Sequence, residues 1–366
     1  MFGLALLFLV ASVRGELRSD GYHVLPGEEI QNYLDAAATN TLQKHVIVHA
    51  GTYAPSGKRQ ALIWLNQRHD GIRLEADGNV TLTAQNRDLA GHSSSNNSAV
   101  VNHVIYVGHL VGSNTLIKGF RVTGANAFCT KGATKRFEPD ESVPKNLFFF
   151  TDGGAIKVFG QSSPVFSDLI IENNFTSPCA GGISIQQQGL TNRPVIIRRS
   201  IFRGNKAQVT GAALDLLGGS AAEVENCLFL ENASNLGDDV VAKISKEKPF
   251  TNSGVVTVFE ASSLIMRNCT FTGNRNAIDE RGGRSVIENC VFYKNNLQTG
   301  LPANRYEVEL TTGTQMTGCE INGVVRFRSL PSEITEKIFR ADDPKFDALW
   351  RPENPAYGAI GYRPNR

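Results

Sequence analysis

Three short segments each set one polar residue between apolar neighbours, Ile156-Lys157-Val158, Ile183-Ser184-Ile185 and Leu214-Asp215-Leu216, and in a fourth Asp279 follows Ile278. In a strand, alternate side chains face opposite sides. If the apolar residues point inward, then Lys157, Ser184, Asp215 and Asp279 point outward. Thr257 joins them, with Gln186 and Arg281 beside the row. A lysine and two aspartates on one surface can move protons, a carboxyl acting as acid and a carboxylate or neutral amine as base. A second set is the acidic segment Asn235-Leu-Gly-Asp-Asp-Val-Val-Ala-Lys243. Asp238 and Asp239 near Asp215 can divide acid and base work, or offer hard oxygen ligands to Ca2+. Lys157, Arg198, Arg199 and Lys243 are candidate bases. Gln186, Asp279, Arg281 and Arg198 are candidate binding residues, because guanidinium and ammonium groups suit carboxylate recognition. The plain alternative is a solvated sheet face and a turn-forming Asp loop.

Such residues need elements to hold them. Residues 26–38 are the one helical pattern, with Ile30, Leu34 and Ala37 on one face and Glu28 and Glu29 at its N-terminal end. Short β-branched runs then follow, separated by Gly or Asn: residues 46–49, 61–65, 72–75, 80–83, 104–107 and 116–120. No helical spacing lies between them, so βαβ units are not expected.

An internal repeat dominates the rest of the chain. Its unit is apolar-x-Asn-Cys-x-Phe-x-x-Asn, clearest at 224–232, 266–274 and 286–295. Residues 197–205 fit with Ser200 in place of Cys, 171–175 are a looser copy, and 316–321 are the last. The Phe residues at 175, 202, 229, 271 and 292 are 27, 27, 42 and 21 apart. The interval of 42 implies a coil carrying a loop of about 15 residues. Gly-marked corners at 153, 181, 211 and 254 alternate with these units. A coil of this length cannot bury its own apolar face. Stacked coils about 4.8 Å apart can, with inward Ile, Val and Phe in continuous columns. The expected fold is all-β: a single-stranded right-handed parallel β-helix of roughly ten coils. The Asn before each Cys is expected at a bend, hydrogen-bonding between coils. The expected organisation is a signal peptide (1–15), an N-terminal cap with the helix (16–44), the β-helix (45–330) and a C-terminal capping tail (331–366) around Trp350 and Tyr357.

The chain resembles the pectin-lyase-like β-helix superfamily. His45-Val-Ile-Val-His-Ala-Gly-Thr-Tyr53 behind the Ile30–Ala38 helix, and the run from Gly71 to Thr83, are similar to the entry of such domains. Gly153-Gly-Ala-Ile156 and the Phe-x-x-Asn copies at 202, 229, 271 and 292 resemble the repeats of polymorphic outer-membrane proteins. Members of the superfamily are mostly polysaccharide lyases and hydrolases, with adhesins, tailspikes and epimerases among them. The resemblance therefore implies an acidic polysaccharide as partner, bound and cleaved in a groove beside Lys157, Asp215, Asp238, Asp239 and Lys243. A lyase would also imply Ca2+. Gly237-Asp238-Asp239 resembles the Gly-Asp-Asp of polygalacturonase-type hydrolases, although no Asn-Thr-Asp precedes it and no Gly-His-Gly or Arg-Ile-Lys follows. The repeats are core and corner residues, so they mark architecture and not activity. The alternative is a non-catalytic surface or envelope repeat protein.

Lys and Arg number 37 against 35 Asp and Glu, giving a net charge of +2. No basic cluster suits nucleic acid. Residues 1–15 have the apolar core of a signal peptide and are too short to span a bilayer. The expected location is secreted, periplasmic or cell-surface, and a monomer is expected. Of six cysteines, those at 227, 269, 290 and 319 share one repeat position. Stacked one per coil, they sit farther apart than a disulfide needs, so buried thiols are expected. Cys129 with Cys179 is the one pair considered for a bridge, and no metal set is seen.

Overall fold

The computed structural model describes residues 16–89, 98–127, 152–176, 178–189, 192–236, 253–295, 305–323, 325–327, 333–334 and 342–364. Every strand-to-strand ladder in it is parallel, running coil to coil. Each central coil contributes three short strands. One such coil has Val195–Arg198, Ile201–Arg203 and Leu214–Leu216. The first two lie in one long sheet with a corner between them, and the third lies in a facing sheet of nine strands from Arg59–Leu65 to Val325–Phe327. The all-β parallel helix expected from the repeat is therefore what the chain forms. Parallel pairing begins ahead of the helix, where Tyr22–Val24 pairs with Val46–Val48. The helix, α1, spans Ile30–Thr39 and buries Ile30, Leu34 and Ala37.

The interior is a set of columns. Phe202, Phe229, Phe271 and Phe292 stack with centroids 4.8, 4.2 and 5.0 Å apart and planes within 17°. The strand spacing sets the distance between these near-parallel rings. The column continues into Ile171 and Ile321, which pair with Phe202 and Phe292. Phe175 is thus not a member. It pairs with Lys206 in a separate two-stranded ladder, and the first repeat interval is 31 residues, from Ile171 to Phe202, instead of 27.

A second correction concerns asparagine. The Asn before each Cys does not form the inter-coil ladder. Asn226, Asn268 and Asn289 have φ of 52°, 53° and 54° and turn the corner between the two strands, a left-handed conformation that Asn tolerates. The ladder belongs to the Asn that ends each unit. The Nδ2 groups of Asn174, Asn205, Asn232 and Asn274 each donate to Oδ1 of the next Asn, at 2.7–3.0 Å. Asn295 then donates Nδ2 and its backbone N–H to Glu307 at 2.5 and 3.0 Å. All six side chains are buried. In the cysteine column, the backbone N–H of Cys227, Cys269 and Cys290 each donates to Sγ of the next cysteine at 3.4–3.5 Å. These thiols are free, as is Cys179. The bridge considered between Cys129 and Cys179 is thus not made; Cys129 itself lies outside the described residues.

Among its described residues, 342–364, the tail runs along the flank, so Trp350 and Tyr357 do not cover an open end there. Tyr357, Phe346 and Ile360 pack on Val291 and Tyr293, while Tyr362 and Trp350 pack on Leu228 and Leu230. Arg363 and Asn226 exchange hydrogen bonds of 2.7 Å. Apolar residues at outward positions of these strands are explained by that cover.

Candidate functional site

The facing sheet keeps the alternation that the sequence implies. Ile156, Val158, Ile183, Ile185, Leu214, Leu216, Val256 and Val258 lie in the core cluster. Between them, in register, run Tyr106, Lys157, Ser184, Asp215, Thr257, Asp279 and Glu309. Strand pairing therefore brings Lys157, Asp215 and Asp279 onto one line. One expectation fails. This row is not an open polar strip, because Lys157, Ser184, Asp215, Thr257 and Asp279 are all 0% exposed. Charges without water must be paired or neutralised, and their surroundings follow that rule.

Lys157 Nζ donates to Ser184 Oγ and Gln186 Oε1, both at 3.1 Å. Asp215 Oδ2 accepts from Thr210 Oγ1 at 3.1 Å. Asp279 Oδ1 accepts from Thr257 Oγ1 at 2.6 Å and Gly254 N–H at 2.9 Å, and Arg281 Nε lies 2.6 Å from its Oδ2. Gly211, at φ +56°, makes room for this packing, since a Cβ there would sit 2.6 Å from Asp215 Cβ.

Asp152, Cys179 and Thr210 were missed by the sequence reading. Each precedes its row member by five residues: 152 to 157, 179 to 184, and 210 to 215. That constant offset across three coils was the available signal. It places them at the corner entering the sheet, where Cys179 N–H donates to Asp152 Oδ1 at 3.2 Å. Asp152 Oδ2 and Asp215 Oδ1 are buried without a hydrogen-bond partner.

The electrostatics follow from burial. Desolvation raises Asp152 to about 7, against the opposing pull of the nearby Lys157 charge. Desolvation also holds Asp215 well above the usual carboxylate range, with Asp152 adding to the rise. The same desolvation lowers Lys157, opposed by Asp152 and Asp215. The result is a lysine pushed toward its neutral form beside two carboxyls pushed toward theirs. Asp152, at about 7, can give and take a proton near neutrality.

Other expected site residues fall elsewhere. Arg198 is not at this site. It is exposed on another strand row, 3.9 Å from Glu225. Arg199 pairs with Asp168 at 2.7 Å on that same flank. Asp238, Asp239 and Lys243 lie outside the described residues. The expected Ca2+ ligand set rested on Asp215 with Asp238 and Asp239. Among the described residues no group of three His, Cys, Asp or Glu is arranged to hold a metal ion. No helix among them is long and apolar enough to cross a membrane.

Comparison with known proteins agrees with the architecture. Residues 155–326 match the family model described as a right-handed β-helix region. No curated protein matches the chain. A solved structure named as a 1,3-α-1,4-β-D-galactose-4-sulfate-3,6-anhydro-D-galactose-2-sulfate 4 galactohydrolase is similar at 10% identity and a TM-score of 0.36, over 89% of this chain and 90% of that one. At that identity and score the likeness carries no functional argument.

Proposed function

We propose that this right-handed β-helix protein binds and cleaves an acidic, uronate-containing polysaccharide, with Lys157, Asp152 and Asp215, all 0% exposed here, reacting only in a state of the chain that opens the row to substrate. The observation that carries the reading is the buried trio itself. Its lysine is lowered, its two carboxyls are raised, and one oxygen of each carboxyl has no partner. Elimination fits these protonation states better than hydrolysis. Neutral Lys157 would take the proton α to the uronate carboxylate. The electron pair would then expel the glycosidic oxygen, which would take its proton from Asp152. Protonated Asp215 would donate a hydrogen bond to the uronate carboxylate. Gln186 would hold the Lys157 amine in place. Export is part of the proposal, on the apolar run at residues 1–15.

The test is turnover of polygalacturonate and alginate, read by absorbance near 235 nm for unsaturated ends and by reducing sugar for hydrolysis. Lys157→Met and Asp152→Asn should each lower the ultraviolet rate by about 100-fold or more, with unchanged circular dichroism. Reducing ends without the ultraviolet signal would replace elimination with hydrolysis. Full activity in both variants would remove the trio from the reaction. A second reading, a non-catalytic surface repeat protein, is favoured by the complete burial of the row. Neither binding nor turnover of either polymer would select it.

A further inference from the structure

We propose that a cleft on the opposite side of the corner from the buried row binds an uncharged saccharide. The cleft, of about 520 Å³, is lined by Gln85, Asn126, Asn173, Phe175, Lys206 and Glu231. That volume is within the range of small-ligand sites. The lining is assembled by parallel pairing, since Asn126, Phe175, Lys206 and Ala233 bridge one another across successive coils. An elongated ligand lying along the helix axis would therefore meet several coils in turn.

The charges around the cleft behave differently from those beside it. On the neighbouring strands, charged side chains are paired between coils. Glu172 is held by Arg121 and Arg203, Asp168 by Arg199, and Glu288 by Arg267. Lys206 and Glu231 line one cleft, yet among the described residues their side chains make no ion pair or hydrogen bond. The side-chain amides of Gln85 and Asn173 likewise make none. The wall thus offers amides that both donate and accept, one cation and one anion. Sugar hydroxyls, which also donate and accept, match this set. One charge of each sign gives no preference for an anionic chain, so the inferred ligand is neutral. Phe175 is half-buried in the wall and offers an apolar ring to the C–H face of a sugar. This site does not depend on the reading of Lys157 and Asp215.

The experiment is titration calorimetry of the full chain with cellotetraose, xylotetraose and mannotetraose, with tetragalacturonate as the anionic comparison. At least one neutral tetrasaccharide should bind. The double variant Lys206→Ala/Glu231→Ala should weaken it 10-fold or more, and Phe175→Ala should do the same while the fold is retained. Lys157→Met should leave this binding unchanged. The double variant should leave polyuronate turnover unchanged, which separates failure of this proposal from failure of the other. No neutral binding, binding that survives the double variant, tetragalacturonate binding that the double variant abolishes, or loss of neutral binding in Lys157→Met would each overturn it.

Discussion

Two residues at the ends of polar columns set a pH dependence. Glu307 terminates the Asn ladder and accepts from the backbone N–H and the side-chain amide of Asn295, yet burial raises it to about 7. Asp152 is raised to about 7 as well, also by burial. Between the ordinary carboxylate range and pH 7 the folded chain holds protons that the unfolded chain has released. Stability therefore falls as pH rises through that window. For Glu307 the shift from 4.5 to about 7 corresponds to roughly 3 kcal/mol. Lys157 and His69, lowered by burial, act in the opposite sense, so the check is a comparison: between pH 5 and pH 8 the melting temperature of Glu307→Gln should fall less, or rise more, than that of the parent chain. An equal pH response in the two would contradict the Glu307 assignment. The thiols give a separate check. Cys179, Cys227, Cys269, Cys290 and Cys319 are buried, so iodoacetamide should modify them only after denaturation, as read by mass spectrometry.

Columns are the unit of stability at the next scale. Phe271 has a ring stacked on each side, at 4.2 and 5.0 Å. Phe271→Ala should cost about 3–5 kcal/mol in denaturant unfolding, through lost burial and a cavity between fixed neighbours. Asn232 accepts from the backbone N–H and side-chain amide of Asn205, and donates to Asn274 Oδ1 and Phe202 O. Asn232→Ala leaves the Asn205 N–H and the Phe202 carbonyl without this partner and weakens the tie to Asn274, at about 1–3 kcal/mol for each orphaned group. A loss under about 1 kcal/mol would show that water or a shifted coil replaces the amide. Cys269→Ser should be better tolerated than either, because Ser200 occupies the same column. There Ser200 Oγ accepts the Leu169 N–H and donates to Arg198 O, as the thiols do one coil along.

For the molecule as a whole, coils contact chiefly their neighbours, so outward apolar residues need cover from outside the repeat. The tail supplies it at Leu228, Leu230, Val291 and Tyr293. Deleting residues 342–366 should lower the melting temperature and raise binding of a hydrophobic dye. Tyr362→Ala should do so to a smaller degree, because Tyr357 would still cover Val291 and Tyr293. An unchanged melting temperature on deletion would mean that the flank is stable without its cover.

The sequence by itself determined the architecture. A Phe-x-x-Asn unit that recurs once per coil can bury its apolar side only by stacking, and strand alternation then fixes which residues share a line. Lys157, Asp215 and Asp279 were legible for that reason. The sequence misplaced whatever depended on register across coils of unequal length. Phe175 has the repeat's residue type, but Ile171 holds the column position. The Asn before Cys has ladder chemistry, but it sits at a left-handed corner. Arg198 lies near the row in the sequence, but its strand belongs to another face. Burial of the row, and its meeting with Asp152, were also decided only in three dimensions. Alternation says which way a side chain points from its own strand; whether water reaches it depends on the rest of the chain.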